Sequence, residues 1–313
     1  MSSFIITVDT ESDNQWDTSN LQTTENAKYI PRFQELCEKF GFKPVYLVDY
    51  SMANDDLLVE YLNDSHIRNN SEIGMHLHAW DTPPLYSLNA HYNGRPYLIE
   101  YPEKIIEDKV KVLNDLLVRR FERKIISHRA GRWAINEFYI NCLQELDYKV
   151  DCSITPSIDW SEQKGETCGG SNYASEEMAI HLYKESKILE VPMTVCKLRG
   201  TKITKDRGIV RMAKDAVKSC IGNNVWFRPA IFCNQDLKKL IEYNVSKESE
   251  YVEMMIHSSE LMPGGSPYFR DDKAIEELYH RLEELFTFLK KLQFEGKTLN
   301  EIYEMKRMII DGI

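Results

Sequence analysis

The chain lacks the features that would place it outside the ordinary globular classes. No stretch approaches the roughly 20 consecutive apolar residues that a membrane helix needs, so no membrane insertion is expected. The opening residues, Met1 to Asp9, carry no basic lead and no long apolar run, so they read as a first strand rather than a secretory signal. A cytoplasmic setting is expected. Seven cysteines are an odd number, and no Cys-x-x-Cys occurs. Neither a disulfide framework nor a thiolate zinc site is suggested, and a reducing compartment fits best. Cys152 and Cys196 read as small core residues. A surplus of positive charge is missing too: 39 Lys and Arg stand against 49 Asp and Glu, a net charge of −10. Nucleic acids and anionic membranes are bound through excess Lys and Arg, so neither is expected as a partner. No Gly-x-Gly-x-x-Gly follows the first strand, which argues against a dinucleotide fold. No repeat, low-complexity tract or linker divides residues 1–313, so one domain is expected.

What is present is an alternation of strand-like and helix-like stretches. Apolar residues make up 42% of the chain and charged residues 28%, so the body should fold rather than stay disordered. Strands are expected at 4–8, 44–48, 72–78, 124–127, 149–154, 188–192 and 251–256. Helical spacing marks 30–40, 54–63, 100–123, 135–146, 236–243, 272–292 and 298–305, with Thr298 and Glu301 placed as an N-terminal capping pair. The stretch 201–224 is basic and partly helical, without a firm assignment. Alternation of this kind means βαβ units and a parallel sheet, either doubly wound or closed into a barrel. A polar-aromatic loop, roughly 81–96, is long enough to suggest a functional role.

Chemistry-bearing residues fall at the ends of the expected strands. Asp9 and Glu11 close the first, His76 and His78 the third, and Arg129 and Arg132 follow the fourth. Asp151 lies in the fifth, and His257 ends the last. That edge carries the active site in parallel α/β barrels. Each residue has a plainer reading: a cap, a surface charge, a satisfied core histidine. Two histidines two apart on a strand nevertheless share a face. With one carboxylate they make a three-donor site that leaves room for water and substrate, as catalytic metals require. A divalent ion is expected, with Zn²⁺ the default. A second carboxylate would take a proton from water, a histidine across the pocket would give one to a leaving nitrogen, and Arg129 would hold the base ionised.

These stretches resemble the motifs of the polysaccharide deacetylases, the NodB-homology or carbohydrate esterase family four group. Phe4-Ile5-Ile6-Thr7-Val8-Asp9-Thr10-Glu11 is similar to the first motif, which implies Asp9 as base and, by strand alternation, Glu11 as metal ligand. Glu72-Ile73-Gly74-Met75-His76 resembles the second, whose usual further histidine falls where this chain has Trp80, so His78 must substitute. The His-x-His variant is similar to a subgroup encoded with bacterial surface-glycan genes. Arg129-Ala130-Gly131-Arg132-Trp133 resembles the third motif, implying that Arg129 orients the base and that Trp133 lines the pocket. Asp151-Cys152-Ser153-Ile154-Thr155-Pro156 resembles the fourth, implying Asp151 as partner of the acid histidine. Met254 to Leu261 resembles the fifth, implying His257 as general acid.

The resemblance implies a distorted (β/α) barrel of about seven strands. It also implies a metal-dependent N-deacetylase acting on an amino sugar, here a nucleotide- or lipid-linked precursor of a surface polysaccharide. Trp80, Arg132, Trp133 and Tyr268 are candidates for contacting that sugar. Two other readings stand beside it: hydrolysis of a different amide or C–N bond, and a non-catalytic glycan binder or scaffold.

Overall fold

The computed structural model describes residues 2–15, 21–200 and 222–310. Cys220 and most of the unassigned basic stretch lie outside the described residues. Of the cysteines within them, all six are unpaired.

The strands are β1 (Ser3–Thr10), β2 (Pro44–Val48), β3 (Glu72–Leu77), β4 (Ser127–Ala130), β5 (Val150–Asp151), β6 (His181–Leu182), β7 (Leu189–Glu190), β8 (Val195–Leu198), β9 (Asn223–Trp226), β10 (Tyr251–His257) and β11 (Glu295–Gly296). Nine of them form one mixed sheet in the order β10-β1-β2-β3-β4-β5-β7-β6, with β11 beside β1. Seven consecutive strands, β10 to β7, are parallel; β6 alone runs against its neighbour. This is an α/β fold with a curled sheet that forms a half-barrel. Between its margins Thr194 and Phe227 continue the hydrogen bonding. Phe227 N–H donates to the Thr194 carbonyl (3.0 Å) and Met255 N–H to the Phe227 carbonyl (3.0 Å).

The strands read as continuous apolar runs because both faces are covered. All eight β1 residues are buried. On the outer face Phe4, Ile6 and Val8 join Phe33, Leu113, Leu278 and Leu285 of the surrounding helices in the main core. On the inner face Ile5, Val45, Leu47, Val150 and Cys152 pack around Leu299 and Ile302 of the last helix, which fills the floor of the half-barrel. The capping pair at its start is present: Thr298 N–H donates to Glu301 Oε2 (2.9 Å) and Glu301 N–H to Thr298 Oγ1 (3.3 Å).

Two strand assignments move. The fourth strand is Ser127–Ala130 instead of 124–127, so Arg129 lies within it rather than after it. The fifth shrinks to Val150–Asp151. Register then explains where side chains go. His76 pairs with Arg129 and Asp9 with His257, so each couple shares a face at the C-terminal edge of the sheet.

Candidate metal centre and pocket

Strand alternation brings His76 and His78 to one side, with ring centroids 4.5 Å apart. Glu11, just past β1, reaches both: its Oε2 lies 3.6 Å from His76 Nε2 and 3.1 Å from His78 Nε2. The three offer one donor atom each, all within 4.8 Å of one another, and all three residues are buried. The His76 ring is already turned for ligation, because its Nδ1–H faces the Arg129 carbonyl at 3.1 Å and leaves Nε2 as the acceptor.

Electrostatics fit a cation at this point. Burial pushes Glu11 up, but His257, His76 and His78 outweigh it and hold the carboxyl well below its usual range. Burial keeps the His76 imidazole low and therefore neutral. For His78 burial is overridden by Asp81 and Glu11, which raise the imidazole to about 10. The surroundings of His78 thus call for positive charge, supplied by a proton or by an ion. Its Nδ1 is buried without a hydrogen-bond partner, 3.8 Å from carboxylate oxygens of Asp49 and Asp81. These two acids flank the ring and favour the orientation in which Nε2 faces Glu11. Burial and then Asp81 push the Asp49 carboxyl well above its usual range, and it makes no hydrogen bond to His78. Asp49→Asn, which keeps an acceptor for the Met52 N–H it caps, should therefore weaken metal affinity by less than the about 10–100-fold that loss of a bonded outer partner costs, as read by competition with a chelator.

Gly131 makes room for this arrangement. A Cβ there would stand 2.5 Å from His78 Cδ2 and 2.6 Å from the Leu77 carbonyl, so only glycine lets β4 pass so close. After it Arg132 (φ 56°) and Trp133 (φ 65°) both take the left-handed conformation, each at a cost of about 1–3 kcal/mol. That turn aims both side chains into the pocket.

Asp9 stands beside the three donors, its Oδ2 3.9 Å from His76 Nε2 and 3.9 Å from His257 Nε2. Its other oxygen accepts from Arg129 Nη1 at 2.6 Å. Arg129 is fully buried and crosses the half-barrel; it also donates to Glu253 and to the Cys152 carbonyl (3.1 Å). Burial pushes Asp9 up, yet Arg129, then His76 and His257, prevail and keep it below the usual carboxylate range. Glu253, with Arg129 shared, is pushed by burial up to about 7.

The partner expected for His257 is replaced. Asp151 is in register with His128 on the outer face, one residue out of phase with the inward Val150 and Cys152, and so cannot enter the pocket. Its Oδ1 bonds His128 Nδ1 at 2.5 Å, and the other ring nitrogen meets the Tyr139 hydroxyl at 2.6 Å. His257 instead has Arg228 at its Nδ1 (2.9 Å) and Glu260 Oε1 at 3.4 Å. Arg228 and Glu260 are themselves paired at 2.8 Å, and Glu260 accepts the His257 backbone N–H at 3.1 Å. Burial raises Glu260, but Arg228 and then His257 bring it down to about 2. Sequence reasoning missed both. Glu260 had a signal in its spacing, three residues beyond a histidine that ends a strand. Arg228 had none, because the basic stretch before it resisted assignment.

A cavity of about 410 Å³ opens over this group. Trp80, Arg132 and Trp133 line it, together with Arg95, Trp160 and Trp226. Trp80 is no ligand: its ring stacks on His78 at 4.3 Å, 20° from parallel. Tyr268 does not line the cavity; it sits half-buried behind Arg228, whose guanidinium is 5.6 Å from its ring. No described helix is long and apolar enough to cross a membrane.

No protein-family model and no curated protein matches the sequence. Solved structures do match the fold. The branching enzyme of the archaeon Thermococcus kodakaraensis is 9% identical over 97% of this chain and 71% of its own, with a TM-score of 0.56. The 4-alpha-glucanotransferase of Thermococcus litoralis is 12% identical over 98% of this chain and 38% of its own, at 0.51. Carbohydrate esterase family four proteins are among the structural neighbours at similarly low identity. One is a family 4 acetyl xylan esterase from Clostridium thermocellum, 11% identical over 97% of this chain and 92% of its own, at 0.44. What the chain shares with the first two, at such identities, is the fold.

Proposed function

We propose that the chain is a metal-dependent hydrolase that removes the N-acetyl group from an amino sugar, a cytoplasmic precursor of a surface polysaccharide. The observation that carries this reading is the convergence of three kinds of group at one cavity: the Glu11, His76 and His78 donors, the Arg129-held Asp9, and His257 backed by Arg228 and Glu260. A glycan binder needs no such set.

Glu11, His76 and His78 would hold a divalent ion, Zn²⁺ by the chemistry of two imidazoles and a carboxylate. When bound, it supplies Lewis-acid polarisation of the acyl carbonyl and a lowered pKa for water. Asp9, kept ionised by Arg129, accepts the proton of the attacking water. His257 faces Asp9 and Glu11 from the β10 side and donates a proton to the departing amine nitrogen. The aromatic walls at Trp80, Trp133 and Trp226 exclude water and offer faces for a sugar ring.

The test is acetate release from a panel of free, nucleotide-linked and lipid-linked N-acetyl sugars, alongside metal analysis of the purified protein. A protein with no bound ion and no release would overturn the reading. His257→Ala should slow amide cleavage by about 100-fold or more, while an activated acetyl ester, whose leaving group needs no proton, should lose far less. Equal losses on both substrates would remove His257 from the general-acid role.

A further inference from the structure

The cavity carries two arginines that form no ion pair with any carboxylate among the described residues. We infer that Arg95 and Arg132 form a subsite for an anionic group of the ligand, a phosphate or a carboxylate. That this ligand is a substrate rests on the hydrolase reading; the subsite itself does not.

The chain has ten more negative than positive charges, so acids are plentiful. The other arginines of the site use them: Arg129 has Asp9 and Glu253, and Arg228 has Glu260. Arg95 and Arg132 have no carboxylate partner among the described residues. Their bonds go to neutral oxygens, Arg95 to the Gln15 side chain, and Arg132 to the carbonyls of Arg95 and Lys164. Three acids reach them by charge without bonding either one. Glu11 belongs to the two histidines, Asp81 acts on Arg95 but has its carboxylate 3.8 Å from the His78 ring, and Glu100 accepts the backbone N–H groups of Tyr97 (2.6 Å) and Glu166 (3.0 Å).

Half-buried guanidinium groups that repel one another are costly without an anion. These two are nevertheless held in place. Arg95 lies over the Trp80 ring at 4.7 Å and Arg132 over Tyr97 at 3.9 Å. The left-handed backbone at Arg132 fixes its direction further. A guanidinium offers five N–H donors, and the bonds above use one of Arg95 and two of Arg132. The remaining donors suit the paired oxygens of a phosphate or carboxylate.

The position adds meaning. Trp80 packs against both Arg95, at 4.7 Å, and His78, at 4.3 Å, so a single indole touches both the anion subsite and a donor of the metal centre. A sugar whose acyl group faces His78 would present its acidic substituent to Arg95 and Arg132. The tryptophan thus ties the two ends of the pocket together.

Titration calorimetry with three probes decides the matter: N-acetylglucosamine, N-acetylglucosamine 1-phosphate and N-acetylneuraminate. At low salt at least one acidic probe should bind about tenfold or more tighter than the neutral sugar, a difference of about 1.4 kcal/mol. The advantage should shrink as salt rises. Which acid gains identifies phosphate or carboxylate as the source. Arg95→Met and Arg132→Met should each remove most of the preference, Arg95→Lys should keep part of it, and His76→Ala should leave it intact. The inference fails if no probe binds, if the three bind alike, or if the preference survives both methionine variants. It fails also if His76→Ala abolishes the preference, since the anion would then sit on the metal. A protein that prefers the acid but releases no acetate overturns the hydrolase reading alone. One that deacetylates neutral sugars without preference overturns only the subsite.

Discussion

His78→Ala should yield a folded protein that no longer retains a divalent ion and no longer turns over. Three donors converge on one point, and His78 Nε2 makes the closest approach to Glu11, at 3.1 Å. Removing it leaves one imidazole and one carboxylate, too few to compete with water for a borderline ion such as Zn²⁺. The affinity loss should exceed the about 10–100-fold that follows loss of a mere outer partner. Trp80 cannot take over, because its ring lies flat on His78 and offers only an N–H donor. The fold should survive, since β3 is paired with β2 through Met75 and with β4 through Leu77, and His78 lies beyond both. Metal analysis by mass spectrometry with circular dichroism on the same sample reads both quantities. One equivalent of ion retained by a folded variant would show that the centre lies elsewhere.

Much of this centre could be read from residue order. The parallel sheet followed from apolar runs spaced by helical segments, and the shared face of His76 and His78 followed from the two-residue period of a strand. What could not be read was phase. A shift of a few residues in β4 and the shortening of β5 decided that Arg129 points inward and Asp151 outward. A strand of two residues has too little pattern to fix its own face, and the pairing partner fixes it instead. Long-range pairs were also hidden. Arg228 and Glu260 meet across 32 residues, and Arg129 and Glu253 across 124. Gly131 is a further case: its need is steric and exists only once His78 is in place.

Asp9→Asn should abolish turnover while the ion stays bound. The substitution keeps shape and an oxygen for Arg129 Nη1 but removes the charge that accepts a proton. Glu11, His76 and His78 are untouched, so metal content should be that of the parent. The loss in kcat should be about 10³-fold or more, in the upper part of the about 10²–10⁴-fold usual for a general base. The pH profile separates this role from a structural one. Because Arg129, His76 and His257 outweigh burial and hold Asp9 below the usual carboxylate range, the base stays ionised well into acid. In the parent the fall in rate at acid pH should therefore follow loss of the ion from His76 and His78, read by metal analysis at each pH, rather than protonation of Asp9. In Asp9→Asn the rate should stay low at every pH at which the ion is fully bound. Arg129 keeps Glu253, so the buried guanidinium is not left alone and the protein should remain folded. Loss of the ion in this variant, with activity recoverable at high metal concentration, would make Asp9 the ligand and Glu11 the base.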